Sequence, residues 1–350
     1  MGSVKDLQVL KKPSEKEAGI GRFVFSDRYS VFDWGEMPDH ILNKGAALCL
    51  MGAYGFEKAE EQGIKTHYRG LVRSDGKLVR LDELDEPTNI MEISLVRVIH
   101  PKFENDNYEY SMFTPELTNF LIPLEIIYRN GLPLGSSIFK RLEKGKVKFQ
   151  DLCLEHYPKP GEKLGTPIFD VSTKLEESDR YITWKEAQKI AGLNDEEIEE
   201  IKEVLFKVNN LITKIVQKAK LVNEDGKIEL AYNSYRELML VDVICTLDEC
   251  RFTSKGMHIS KEIARQFYKK TNWYEDVEEA KKVAEESKTK EWKNLCKSQP
   301  SKLPFELKKI IPDVYTSATN AFLDRKFFNS PKLENIIKKY KEFVKKEKIP

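Results

Sequence analysis

Between residues 195 and 220, Ile198, Ile201, Val204, Leu205, Val208, Leu211, Ile212, Ile215 and Val216 recur at three- and four-residue spacing. That spacing puts them along one side of an α-helix. So long an apolar stripe has to bury itself against a partner layer. The partner material lies upstream. "RFVFS", "MEISLVRVIH" and "LIPLEIIYRN" are rich in β-branched or aromatic residues and bounded by turn formers, which predicts strands in the first 150 residues. A helical pattern from about Gly45 to Gln62 interrupts them. Residues 155–182, with "YPKPGEKLGTP", read as loop. Thr183 and Glu186 make a capping box, "GKIELAYN" and "ELMLVDVIC" read as a strand pair, and the chain turns helical again from about residue 259. The last helix has one apolar face of Leu333, Ile336, Ile337, Tyr340, Phe343 and Val344. Strands first and helices later predict an α+β protein of two lobes with a cleft.

Composition narrows the function. Lys plus Arg number 58 and Asp plus Glu 57, for a net charge of +1. Such a balance gives no bulk attraction to nucleic acid or an anionic membrane, though it allows a local basic pocket. No 18-residue apolar run occurs, and "MGSVKDLQVLKKP" has no signal-type apolar core. The five cysteines are scattered without a CxxC pair. Reduced thiols in a soluble, cytoplasmic protein are expected. Homo-oligomerisation is left open.

Four polar clusters stand out against this background. "SDRYSVFD" places Ser26, Asp27, Arg28, Ser30 and Asp33 directly after the apolar strand ending at Phe25. "RNGLPLGSSIFKR" puts Arg129 at a strand end and Gly135, Ser136 and Ser137 at the start of a helix, with Lys140 and Arg141 behind. Small residues with free amides and hydroxyls there fit a phosphate cradle; they also fit an ordinary turn with exposed basic residues. "STKLEESD", residues 172–179, reads as a charged loop. In "DGKIE", Asp225, Lys227 and Glu229 alternate, so on a strand they share one face. Asp242, Asp248 and Arg251 follow from the next strand and its outgoing loop. Grouped carboxylates repel unless a cation lies among them, and Mg²⁺ suits such oxygen ligands. A hairpin turning at "EDGK" with a solvated charged face fits as well.

In this order, the clusters resemble the phosphoribosylaminoimidazole-succinocarboxamide synthase (SAICAR synthetase) family over roughly residues 2–270. "SDRYSVFD" stands for the family's TDR-I-S-A-F-D, and Pro38 with Lys44 and Gly45 for its P-x-KG. "RNGLPLGSSIFKR" matches R-N-x-x-x-G-S-x-x-K-R, "PIFDVSTKLEESD" its TK-x-E motif, "DGKIE" D-x-K-x-E, and "DVICTLDECRF" DE-x-x-T-P-D-x-x-R-F/W. The resemblance implies an α+β fold of two lobes with antiparallel sheets around an ATP and substrate cleft. It divides the chain into residues 1–125 (nucleotide side), 126–280 (ribonucleotide and metal side) and a helical extension, 281–350. It further implies an ATP- and Mg²⁺-dependent ligase of purine biosynthesis, joining L-aspartate to carboxyaminoimidazole ribonucleotide.

By the same resemblance Lys227, Asp225 and Arg251 are catalytic, and Asp27, Arg28, Ser30, Asp33, Lys44, Arg129, Ser136, Ser137, Lys174 and Asp248 bind substrate. Glu229 and Asp242 hold the metal. The nucleotide loop, G-K-[VA]-[RK]-[DE], falls on "GSVKD", with Gly2 and Lys5 in place, Ser3 where the family has Lys, and Lys11 and Lys12 as further phosphate contacts. Val243 replaces the Glu of "DE", and Asp179 stands without the family's His. These departures admit two other readings: a paralog that ligates a different carboxylate or amine, and a non-catalytic ribonucleotide-binding protein.

Overall fold

The computed structural model describes residues 4–347, except 105, 106, 134, 288 and 290. Two sheets organise it. The first holds β1 (Lys5–Lys11), β2 (Gly19–Phe25), β3 (Tyr68–Val72), β4 (Leu78–Val79) and β5 (Ile90–Leu95), in the order β1-β2-β5-β3-β4. A separate ribbon pairs β6 (Lys102–Glu104) with β7 (Asn107–Glu109). The second sheet runs β11-β10-β9-β12-β14-β15, with β8 and β13 also pairing with β12. Its strands are β8 (Phe120–Leu121), β9 (Leu124–Leu132), β10 (Glu162–Thr173), β11 (Tyr181–Ile182), β12 (Val222–Tyr232), β13 (Leu238–Val241), β14 (Cys250–Ser254) and β15 (Met257–His258). Pairing within both sheets is antiparallel.

Eight α-helices pack on these sheets among the described residues: α1 (Lys44–Glu60), α2 (Ser137–Glu143), α3 (Trp184–Ile190), α4 (Asp195–Lys218), α5 (Glu262–Tyr268), α6 (Asn272–Ser287), α7 (Phe305–Leu323) and α8 (Leu333–Lys346). The stripe read from the sequence is the buried side of α4, which starts on a full capping box, Asn194 with Glu197, and lies against β9 and β12. Beneath it, Asn209 exchanges hydrogen bonds with Asn130 of β9 and accepts one from Asn223 of β12. α4 therefore covers one face of the second sheet, and the polar residues of the opposite face are left for a site.

Two expectations change. Residues 155–182 are not a loop throughout, because β10 pairs with β9 across most of its length. The register slips between Lys163 and Ile168, around Gly165 and Pro167, so the turn formers mark an irregularity in the strand. "EDGK" is no hairpin either, since β12 continues through it, with a register shift against β14 between Asn223 and Asp225. Gly226 is required there because an added Cβ would lie 2.4 Å from the Tyr128 hydroxyl.

The C-terminal helices are part of the main core. α7 packs along α1 and α8, and one apolar cluster reaches from Phe23 to Phe343. The expected division at residue 125 falls inside β9. No helix among the described residues is long and apolar enough to cross a membrane.

Candidate functional site

Asp225 sits at the centre of the second sheet's free face. In the strand register it is opposite both Arg129 on β9 and Arg251 on β14. Arg251 grips it with two nitrogens, at 2.8 and 2.7 Å, and Arg129 approaches at 3.5 Å. Strand parity puts Glu125, Ile127 and Arg129 of β9 on the same face as Asp225, Lys227 and Glu229 of β12. Asp170 of β10 joins them and binds Arg129 at 3.1 Å and Arg141 at 2.5 Å. Tyr181 completes this end: its ring lies 4.1 Å from the Arg141 guanidinium, and its hydroxyl is 2.8 Å from that of Ser137. At the head of α2 the Ser136 hydroxyl is buried and, among the described residues, has no hydrogen-bond partner, and the same is true of Nε of Arg129. Three guanidinium groups facing two aspartates, with an unpartnered hydroxyl at the head of α2, can receive an anion.

Along the same face the charges alternate more closely. Lys227 holds Glu125 at 2.7 Å and lies 3.4 Å from Glu249 and 3.6 Å from Glu229. Lys174 binds Glu229 at 2.5 Å, and Lys5 reaches across from the first sheet to Asp242 at 2.5 Å. Burial works to raise the pKa of Asp242, yet the Lys5 ammonium holds its carboxyl down at about 2. Glu229, buried and next to the Asp242 charge, is pushed up to about 7. These two carboxylates are therefore close enough to repel, and lysines occupy the place of a cation.

The pair fits Mg²⁺, which commonly takes one or two carboxylates and completes its shell with water and phosphate oxygens. Among the described residues no group of three His, Cys, Asp or Glu is arranged to hold a metal alone. Val243, where the resemblance expects Glu, turns into the core against Gly52 of α1. An acid at that position would face apolar packing, so the departure leaves the Glu229 and Asp242 pair intact.

The "SDRYSVFD" residues do not form one cluster. Asp27 accepts hydrogen bonds from the Asn43 and Gly45 amides, satisfying the start of α1. Arg28 donates to Asp6 at 2.8 Å and to the Ser26 hydroxyl. The Ser30 hydroxyl accepts the Gly35 amide, and the exposed Asp33 pairs with Lys281 of α6. Lys44 is fully buried and pairs at 2.9 Å with Asp248, whose other oxygen accepts the Tyr315 hydroxyl of α7 at 2.6 Å. Gly2 and Ser3 lie outside the described residues. Lys11 pairs with Glu17 at the far end of β1, and Lys12 follows it in the turn. A seven-residue strand spans about 20 Å, so these two lysines do not gather with Lys5.

Glu125, Asp170, Tyr181, Glu249 and Tyr315 were not singled out from the sequence. Glu125 was within reach of parity, since it stands four residues before Arg129 on one strand. Asp170 was hidden by reading β10 as loop. A pocket of about 260 Å³ opens over this face, bounded by Arg129, Asp225, Lys227, Asp248, Arg251 and Lys261 among others.

The SAICAR synthetase family model matches residues 9–286. A protein of Archaeoglobus fulgidus, provisionally named as a phosphoribosylaminoimidazole-succinocarboxamide synthase, is 50% identical over 98% of this chain and 100% of its own length. The synthase of that name from Thermoplasma acidophilum is 34% identical over 74% of this chain and 81% of its own. In fold, the chain is similar to the Saccharomyces cerevisiae SAICAR synthase complexed with SAICAR, with a TM-score of 0.61 at 19% identity over 93% and 94% of the two chains. A SAICAR synthetase in complex with ADP aligns with a TM-score of 0.54 at 21% identity, over 86% of this chain and 99% of the other. The chain belongs to the SAICAR synthetase family, the ATP-dependent ligases of purine biosynthesis.

Proposed function

We propose that this protein joins L-aspartate to the carboxylate of carboxyaminoimidazole ribonucleotide, converting ATP to ADP and phosphate and forming SAICAR. The observation that carries the reading is Asp225 held between Arg129 and Arg251, on the same sheet face as Lys227 and Glu229. A carboxylate resists attack by an amine. Transfer of the γ-phosphoryl group to a carboxylate oxygen breaks its bond to ADP and gives an acyl phosphate. The aspartate nitrogen then bonds to the acyl carbon, phosphate departs with the electron pair, and the nitrogen gives up a proton.

In this reading Arg129, Arg251, Ser136 and Ser137 hold the ribonucleotide phosphate, and Asp225 orients the two arginines. Lys227, Lys174 and Asp248 face the imidazole end. Glu229 and Asp242 would hold Mg²⁺, which when bound neutralises charge on the transferring phosphoryl group. Lys5, at the lip of the first sheet, exchanges Asp242 for an ATP phosphate. Residues 1–125 then serve the nucleotide and 126–280 the ribonucleotide and metal, with 281–350 buttressing both. Three anionic reactants explain the density of cations: positioning and neutralisation are what the protein has to supply.

A steady-state assay of ADP release with carboxyaminoimidazole ribonucleotide and L-aspartate tests the reading. Turnover that requires both substrates supports it. ATP binding without turnover would point to a different carboxylate or amine, and absence of ATP binding to a ribonucleotide-binding role.

A further inference from the structure

The cations around the pocket are almost all neutralised by the chain itself. Arg129 and Arg251 share Asp225, Lys227 lies on Glu125, and Arg265 binds Glu262 at 3.1 Å. Lys44, just beneath, is taken by Asp248. Lys261 is the exception. It lines the same pocket, its backbone amide is pinned to the Leu247 carbonyl at the start of α5, and among the described residues its ammonium makes no ion pair or hydrogen bond. Asp248, an acid that would suit it, already has one oxygen on Lys44 and the other on Tyr315.

Resting on the proposed function, we infer that Lys261 is a substrate-carboxylate ligand, completing a second anion subsite apart from the one formed by Arg129, Ser136 and Arg251. A half-buried ammonium between Lys44 and Arg265 is costly to keep charged. Burial and these two cations draw its pKa below the ordinary lysine range, against Asp248 and Glu249. An incoming anion repairs this with a charge-assisted hydrogen bond. The phosphate already has the guanidinium end of the face, which leaves a carboxylate. Two reactants carry one: the ribonucleotide, on its base, and the amino acid.

The test is a comparison of KM values for the ribonucleotide, L-aspartate and ATP in the unsubstituted enzyme, Lys261→Met and Lys261→Arg. Lys261→Met is expected to raise one carboxylate substrate's KM by about tenfold to a hundredfold, with ATP little changed and Lys261→Arg restoring most of the loss. A rise for L-aspartate assigns the amino acid. A rise for the ribonucleotide assigns the base carboxylate, provided that affinity for the decarboxylated ribonucleotide is unaffected. Equal loss for the carboxylated and decarboxylated forms, or no change in either carboxylate substrate's KM, overturns the inference alone. An unsubstituted enzyme with no turnover overturns the proposed function and this inference with it.

Discussion

The Tyr315 hydroxyl donates to the Asp248 carboxylate at 2.6 Å, tying a helix near the C-terminus to a carboxylate that bounds the pocket. Asp248 is also paired with Lys44 at the first turn of α1, so one buried carboxylate holds three distant segments. Removing the hydroxyl alone should show how much that tie contributes. Tyr315→Phe keeps the ring packing and leaves a buried acceptor short of a donor. Unfolding by urea is expected to show a loss of about 1–3 kcal/mol with an unchanged m-value. A loss under 0.5 kcal/mol, roughly the scatter of surface substitutions, would show that the hydroxyl contributes little.

Asp248 also predicts a pH dependence. Burial acts to raise its pKa, but Lys44, Lys261 and Tyr315 overcome this and hold it well below the ordinary aspartate range. The charged form is therefore favoured in the folded state, so the stabilisation is complete above about pH 4 and is lost as pH falls through the folded pKa. Asp248→Asn leaves Lys44 buried without a counter-charge, which should cost about 3–5 kcal/mol at neutral pH. The gap between variant and parent should narrow below pH 4. Chemical denaturation at a series of pH values measures it, and a gap independent of pH would contradict the assignment.

Arg251→Ala is expected to weaken ribonucleotide binding while sparing the fold. Arg251 is partly exposed, and Asp225 keeps Arg129 when it is removed. Loss of one charge-assisted contact to an anion costs about 1.5–3 kcal/mol, about tenfold to a hundredfold in affinity. Calorimetric titration with the ribonucleotide, next to a thermal melt, separates the two effects. Unchanged affinity would remove Arg251 from the site.

Lys5 is expected to have opposite effects on nucleotide and metal. Its ammonium neutralises Asp242 beside Glu229. Lys5→Ala should raise the KM for ATP and lower turnover, because a phosphoryl group loses a cation. The same change leaves Asp242 without its ammonium partner while Glu229 keeps Lys174, so Mn²⁺ should bind more tightly in the absence of nucleotide. Normal ATP kinetics in the variant would show that β1 does not hold the nucleotide.

Asp27 should behave as a helix-start residue. Both carboxylate oxygens accept amides at the head of α1. Asp27→Ala is expected to cost about 1–2 kcal/mol of stability, as removing a capping side chain does. Substrate KM values should move less than about twofold, since on this scale a real anion contact shifts them tenfold. A larger KM change with normal stability would return Asp27 to the substrate cleft.

The sequence by itself determined the elements and the parity of the site. The apolar spacing from Ile198 to Val216 is α4, and the alternation of Asp225, Lys227 and Glu229 does put them on one sheet face. Both follow from backbone periodicity, which each segment carries without its neighbours. The tertiary structure alone decided which charges meet. Lys5 reaches Asp242 across 237 positions, Asp27 turns from a cleft to the amides of α1, and Tyr315 closes on Asp248. Burial of apolar surface, which is non-directional, drives the elements together. The pairing and desolvation of their polar residues depend on where that packing stops, and local spacing does not encode it.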